Sequence, residues 1–561
     1  MKANRYGPML KAVLLCAMAG MLVVADSVAM DDGPHIEIVT EEPAAIVRPE
    51  QTEAVELAVH NPSGESLEGV WRMGVRRRSD ASVELTWEDT IELAGNETMR
   101  RPLPDGFVTD LGMYYLDWEI EAGGDEWSGV TSFAHMEPVG ATDAIQPGPL
   151  HGGDEFLFGI AGGIRMGWPH DERERFLEAA AIIGCEAYRM DMSWNYLQPD
   201  PDTWRWQGLD ETVDLAEEYG MFIQPLVAYG TSWAVSDETR ELAAERDHEN
   251  VLWRYPPRLE YWGAFARALA ERYGTRMQYY EIWNEPDIYF FQGTPDEYVA
   301  LLQRGYEEIK AVDPDIIVTT AGFTNFGHPE VDHDFHEKTF TDGADSFDAV
   351  AWHRHGDFDV FQREIDEELL PLLEDKGLGG VPLVFNESAA HRGFEGEWEL
   401  AEQVTKKMTF SWARGAIGHY WYNLTRSADN YQMLNPDWTP RPSYPAYNEL
   451  ARLLRGRSYS HELDLGDGRW GFAFHGEGHF TGESEDDWVL AVWTEDSELD
   501  GASFELTVSP GATVERSDVM GNRESVPAPE DGVLGIEVEH ELAYLIIENS
   551  SQRPEVAGPI E

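Results

Sequence analysis

The chain has 561 residues, enough for a large core and more than one domain. Its formal net charge of −64, from 105 acidic against 41 basic side chains, disfavours nucleic acid and anionic membranes as partners. Such a surface repels itself at low ionic strength and is screened in brine, so adaptation to a salty environment is expected.

In chain order, residues 1–29 read as a secretory signal peptide. Lys2, Arg5 and Lys11 precede an apolar run, and Ser27-Val28-Ala29 has small-x-small character. The run is short for a membrane span, and no later stretch is apolar enough for one. A secreted or periplasmic protein without a membrane partner is expected. Cys16 lies in the leader, which leaves Cys185 alone, with neither a disulfide nor a cysteine metal cluster.

Residues 30–140 alternate in short strand-like runs broken by Asn-Pro, Ser-Gly and Gly-Gly signals, which predicts a β-sandwich domain. Residues 141–154, with Pro147 and Pro149, read as a linker. Across 155–456 the pattern turns to strands alternating with amphipathic helices. Eight strands are predicted, at 156–161, 186–190, 221–227, 278–283, 316–320, 347–352, 383–386 and 416–422. Eight such units predict a (β/α)8 TIM barrel. A doubly wound sheet is the alternative, but Gly159-Ile160-Ala161-Gly162-Gly163 lacks the spacing of its phosphate loop. Residues 457–549 return to short strands, a C-terminal β domain, and 550–561 read as a loose tail. The predicted fold class is α/β: a barrel flanked by N-terminal and C-terminal β-sandwich domains.

Two predicted strands end alike. The fourth closes on Glu281-Ile282-Trp283-Asn284-Glu285-Pro286, and the seventh on Phe385-Asn386-Glu387-Ser388. Strand C-termini form the mouth of such a barrel, and strands four and seven lie on opposite sides of it. Two facing carboxylates suit glycosidic bond cleavage, one protonated to assist the leaving oxygen and one ionised to attack. Other residues belong to the same mouth. Arg189 ends strand two, where it either holds a carboxylate of the site or pairs structurally with Glu281 or Asp191. His353 and His355 follow strand six and could orient a carboxylate or touch sugar hydroxyls; no third metal ligand at telling spacing accompanies them, so neither metal nor cofactor is expected. Tyr229 and Trp233 follow strand three, Trp194 follows strand two, and Trp421 ends strand eight. Each could stack on a sugar or pack beneath a loop.

The segment Ile282-Trp283-Asn284-Glu285-Pro286 resembles the strand-four signature of clan A retaining glycoside hydrolases. Tyr280–Asp287 and the segment Leu434-Asn435-Pro436-Asp437-Trp438 come closest to family 39-like β-xylosidases. The resemblance implies that Glu285 is the acid/base, Glu387 the nucleophile and Asn284 a partner of the sugar 2-hydroxyl. It also implies that Arg189 keeps the nucleophile ionised and that Trp421 is a sugar platform. The expected function is a secreted retaining O-glycosidase cleaving β-linked oligo- or polysaccharide. The rivals are a transglycosidase with the same site and a non-catalytic carbohydrate-binding protein on a barrel scaffold. Nothing in the sequence bears on oligomeric state.

Overall fold

The computed structural model describes residues 33–40, 42–140, 156–425, 430–481, 484–527 and 530–559. The expected leader, 1–29, and the expected linker, 141–154, lie outside the described residues. Eight strands come first: β1 His35–Val39, β2 Ile46–Val47, β3 Glu56–His60, β4 Leu67–Arg76, β5 Leu85–Leu93, β6 Thr98–Pro102, β7 Gly112–Ala122 and β8 Asp125–His135. They form a three-stranded sheet, β1-β3-β6, and a five-stranded sheet, β2-β8-β7-β4-β5. Alternate residues of both sheets, Leu57 and Val59 from one and Trp71, Met73 and Tyr114 from the other, share one buried core.

The next eight strands are β9 Leu157–Ala161, β10 Ala187–Asp191, β11 Phe222–Val227, β12 Tyr280–Ile282, β13 Val318–Thr319, β14 Val350–His353, β15 Leu383–Ser388 and β16 Ala416–Tyr422. All pair in parallel, in the order β13-β12-β11-β10-β9-β16-β15-β14. Parallel bridges Thr319↔Ala349 and Phe323↔Trp352 join the two ends, so the sheet closes into a barrel. Helices cover it, among them His170–Ile182, Gln207–Glu218, Leu259–Tyr273, Pro295–Val312, Glu399–Ala413 and Ser443–Leu454. Strand alternation sorts the side chains. Ala187, Tyr279, Val384 and Tyr420 fill the barrel, while Tyr188, Tyr280, Phe385 and Trp421 pack outward among the helices.

The last strands are β17 Ser458–Glu462, β18 Arg469–His475, β19 Trp488–Thr494, β20 Ala502–Thr507, β21 Thr513–Ser517, β22 Arg523–Val526, β23 Val533–Val538, β24 Ala543–Glu548 and β25 Glu555–Pro559. A six-stranded and a three-stranded sheet result. The stretch expected to be a loose tail is therefore not one: β25 pairs antiparallel with β20, because the edge of β20 offers backbone groups that the short segment satisfies. Aromatic residues of β18 dock this unit on the barrel, with Trp470 against Phe410 and Phe474 against Trp412. Cys185 is buried and unpaired. Among the described residues, no helix is long and apolar enough to cross a membrane.

Candidate active site

The end of β12 leaves extended geometry abruptly. Trp283 and Glu285 both adopt positive φ, 74° and 40°, conformations that cost about 1–3 kcal/mol each for ordinary residues. The neighbouring strands hold them there. Trp283 N–H donates to Val227 O at 3.1 Å, and Glu285 N–H to Gly322 O at 3.0 Å. Beyond the bend, Asp287 is fully buried and accepts from Thr324 N–H at 3.0 Å, with His336 Nε2 2.9 Å away. This latch fixes the turn that delivers Asn284 and Glu285 to the mouth.

Glu285 and Glu387 face each other there. One oxygen of each and a nitrogen of His353 lie within 4.8 Å of one another. Arg189, on β10, is buried against three partners. Its Nε and Nη2 lie 2.6 and 2.9 Å from the two oxygens of Glu281, Nη1 is 2.9 Å from Glu387 Oε2, and Nη2 is 2.7 Å from Asn284 Oδ1. Both readings of Arg189 therefore hold at once: it is a structural partner of Glu281 and a direct partner of Glu387. His355 Nε2 reaches the other oxygen of Glu387 at 3.3 Å. Burial alone would raise the Glu387 carboxyl, but His353, His355 and Arg189 outweigh it and hold the group well below the usual carboxylate range.

His353 is buried and takes a different partner. Its Nδ1 is 2.9 Å from Glu285 Oε1 and 3.9 Å from Glu387 Oε2. Burial lowers its basicity, but Glu387 and Glu285 prevail and raise it above its ordinary value. Its ring lies over Gly322, where a Cβ would stand only 1.9 Å from Nε2, so no larger residue fits without displacing the histidine. Glu285, His353 and Glu387 could geometrically ligate a cation, a cluster the sequence spacing did not reveal. Arg189 already supplies positive charge at Glu387.

Tyr229 is half-buried between Trp253 and Trp283, at 4.8 and 5.8 Å. Burial, reinforced by the carboxylates of Asp191, Glu285 and Glu387, pushes its phenol far above the ordinary range, so it faces the site as a neutral hydroxyl. The remaining aromatic candidates are corrected. Trp421 is fully buried because alternation along β16 turns Tyr420 and Tyr422 inward and Trp421 outward, where Lys407 lies 5.6 Å over its ring. Trp194 is fully buried, stacked on Phe265 at 4.7 Å and donating through Nε1 to Gln198. Trp233 is half-buried beside Trp194 and donates to the Gln198 carbonyl at 2.9 Å. These two tryptophans pack against each other and against Phe265 and Tyr261 of one helix.

The aromatic rings beside Glu387 are instead Tyr422 and Tyr431, 5.7 and 5.2 Å from the His355 ring. Tyr431 lies far beyond any strand end, and only tertiary folding returns it to the site. Two devices hold the surrounding loops. Buried Lys407 donates to the carbonyls of Arg354, Gly356 and Ala389, each at 3.1 Å. Buried Arg441 donates to the carbonyls of Asn430, Gln432 and Arg392 and pairs with Glu397 at 3.0 Å. Tyr115 of the N-terminal sandwich completes that second set, its hydroxyl 2.5 Å from Glu397 Oε1.

No protein-family model matches the chain. The fold is similar to that of a family 39 glycoside hydrolase from Bacteroides cellulosilyticus WH2, with a TM-score of 0.62 at 17% identity, over 91% of this chain and all of that one. It is also similar to a glucosidase from Croceicoccus marinus, with a TM-score of 0.50 at 13% identity, over 71% of this chain and 96% of that one. A 55-residue segment, 10% of this chain, is 40% identical to the β-galactosidase Bga of Halorubrum lacusprofundi; it spans 8% of that protein. The likeness to the solved structures is one of fold.

Proposed function

We propose that this chain is a secreted, retaining glycoside hydrolase acting on a β-linked oligo- or polysaccharide. One observation carries the reading: an oxygen of Glu285 and an oxygen of Glu387 lie within 4.8 Å of each other, and the two carboxylates take different partners. Retaining glycosidases hold their two carboxyl groups about 5–5.5 Å apart, whereas inverting enzymes leave room for a water between them. Arg189 and His355 keep Glu387 ionised and ready to attack. Among the described residues Glu285 receives only His353 Nδ1, on Oε1, which leaves its other oxygen to meet a glycosidic oxygen.

In the first step a Glu387 oxygen bonds to the anomeric carbon as the bond to the leaving oxygen breaks. That oxygen takes the proton of Glu285. In the second step Glu285 takes a proton from water, the water oxygen bonds to the anomeric carbon, and Glu387 leaves as carboxylate. Esterification of Glu387 removes the negative charge that an ionised Glu285 would otherwise face. Arg189 fixes Asn284 Oδ1 and thereby turns the side-chain amide as a donor for the sugar hydroxyl beside the nucleophile. The sugar's ring faces meet Tyr229 on one side and the Tyr422–Tyr431 pair on the other. The N-terminal sandwich supports the loops beside the mouth through Tyr115, Glu397 and Arg441.

The test is a glycan panel with mass-spectrometric products, followed by NMR of the first anomer released. Retention of configuration is expected, as is loss of turnover in Glu387→Ala and Glu285→Gln. Inversion, or persistent activity of Glu387→Ala, would overturn the reading.

A further inference from the structure

A second cluster of donors lies on the N-terminal sandwich. His35 and Glu37 are two residues apart on β1, so alternation puts both on one face. The register of β1 with β3 sets His35 directly opposite His60. Their imidazoles stack, with centroids 4.6 Å apart and planes 18° apart. The Glu37 carboxylate closes over both: Oε2 is 3.3 Å from His60 Nε2, and Oε1 is 3.9 Å from His35 Nε2. One ligating atom from each residue lies within 4.8 Å of the others.

We propose that His35, Glu37 and His60 form a divalent metal site, best suited to zinc, that ties edge strand β1 to β3. Two imidazole nitrogens and one carboxylate oxygen are a zinc-type donor set, whereas calcium and magnesium call for oxygens throughout. Zinc bonds of about 2.0–2.1 Å in tetrahedral geometry separate neighbouring ligand atoms by about 3.4 Å. The His60–Glu37 distance of 3.3 Å matches that spacing. The His35–Glu37 distance of 3.9 Å closes by a small movement of Glu37, whose side chain is 62% exposed.

Two details of His60 point the same way. Its Nε2 is buried and makes no hydrogen bond, although a carboxylate oxygen stands 3.3 Å away. The oxygen therefore lies off the direction in which the ring N–H would point. In-plane lone pairs of two stacked rings do not converge on one point, so an ion is shared only after the partly exposed His35 ring turns about its side-chain torsions. The other ring nitrogen, Nδ1, is 2.8 Å from Thr98 Oγ1 on the neighbouring strand β6. A ligating histidine is usually oriented by such a partner on its second nitrogen. A water completes the fourth position.

The experiment uses the full chain after chelator treatment, titrated with zinc alone by calorimetry and with cobalt(II) by visible absorption. One ion should bind at this site, with tetrahedral cobalt bands and a rise in melting temperature. His60→Ala should abolish that binding and the thermal shift, and Thr98→Val should weaken affinity about 10-fold or more. Glu37→Gln, a fully surface change, serves as a second variant if His60→Ala does not fold. Because Glu285, His353 and Glu387 form another donor cluster, the titration is repeated on Glu285→Gln, which should keep the site. Absence of zinc binding, or binding that survives His60→Ala and Glu37→Gln, would overturn the proposal. Glycosidase activity plays no part in these readouts.

Discussion

Arg189 Nη1 lies 2.9 Å from Glu387 Oε2, deep in the barrel mouth. The same guanidinium closes a bidentate pair with Glu281, a carboxylate with no solvent exposure. A rigid planar fork pairs bidentately with one acid while reaching the other, a geometry that a compact ammonium does not offer. Replacing Arg189 by Met leaves Glu281 as an uncompensated buried charge, at a cost of about 3–5 kcal/mol. Arg189→Lys should fold better than Arg189→Met and still lose most of kcat/KM. Denaturant melts and kinetics on both variants check this. An unchanged melt for Arg189→Met would contradict the pairing.

Gly322 gives a route to Glu285 that touches neither carboxylate. The Cβ of Gly322→Ala would collide with His353 Nε2, forcing the ring away from Glu285. A displacement near 1 Å at a reacting group costs about 100-fold in rate. The variant should therefore lose kcat by about that factor with little change in KM. Wild-type kinetics from Gly322→Ala would separate His353 from the chemistry.

The charges of the site also predict a pH signature. His353 is raised above 6.5, so its contribution to stability is complete below 6.5 and is lost as pH climbs through the folded value. Glu387 is depressed below 4.5, so its contribution is present above 4.5 and is lost as pH falls towards the folded value. The two overlap fully between those values. Glu387→Gln removes the anion that does most to raise His353. The stability difference between wild type and Glu387→Gln should therefore shrink as pH rises from about 6.5 to 9. Thermal melts across that range test it, and a difference that grows would refute the assignment.

The Tyr115–Glu397–Arg441 chain links the N-terminal sandwich to the loops beside Glu387. Arg441→Met should release three loop carbonyls and leave the buried Glu397 carboxylate without its cation. A lower melting temperature is expected together with a raised KM, because Tyr431 loses its support. Tyr115→Phe should show the same pattern more weakly, at about 1–3 kcal/mol for the lost partner of Glu397. Fluorescence melts and substrate titrations decide the matter.

The net charge of −64 leads to a prediction about the solvent. Like charges across the surface repel within the Debye length, which falls from about 10 Å at 0.1 M to about 3 Å at 1 M salt. Melting temperature and activity should rise with sodium chloride from 0.1 M towards molar levels. A protein destabilised over that range would not be adapted to salt.

Much of the barrel was legible because strand alternation and helix periodicity are local. The strand Ala416–Tyr422 falls on its predicted boundaries. The shortest strands, Tyr280–Ile282 and Val318–Thr319, were predicted longer than they are, because the chain bends out of the ladder where it builds the site. The helices Asp237–Glu245 and Asp334–Asp342 were not anticipated; both are short and sit inside loops.

The sequence by itself determined the eight-stranded plan, the two Asn-Glu strand ends and the placement of Glu285 opposite Glu387, since strand count and strand termini follow from local pattern. Only the tertiary structure decided which partner each carboxylate receives. It gave Arg189 to Glu281 and Glu387 together, His353 to Glu285 and His355 to Glu387. It turned Trp421 away from the mouth and returned Tyr431 to it. Those outcomes depend on which way a side chain points from its strand and on contacts between residues distant in the chain, and neither is written in periodicity.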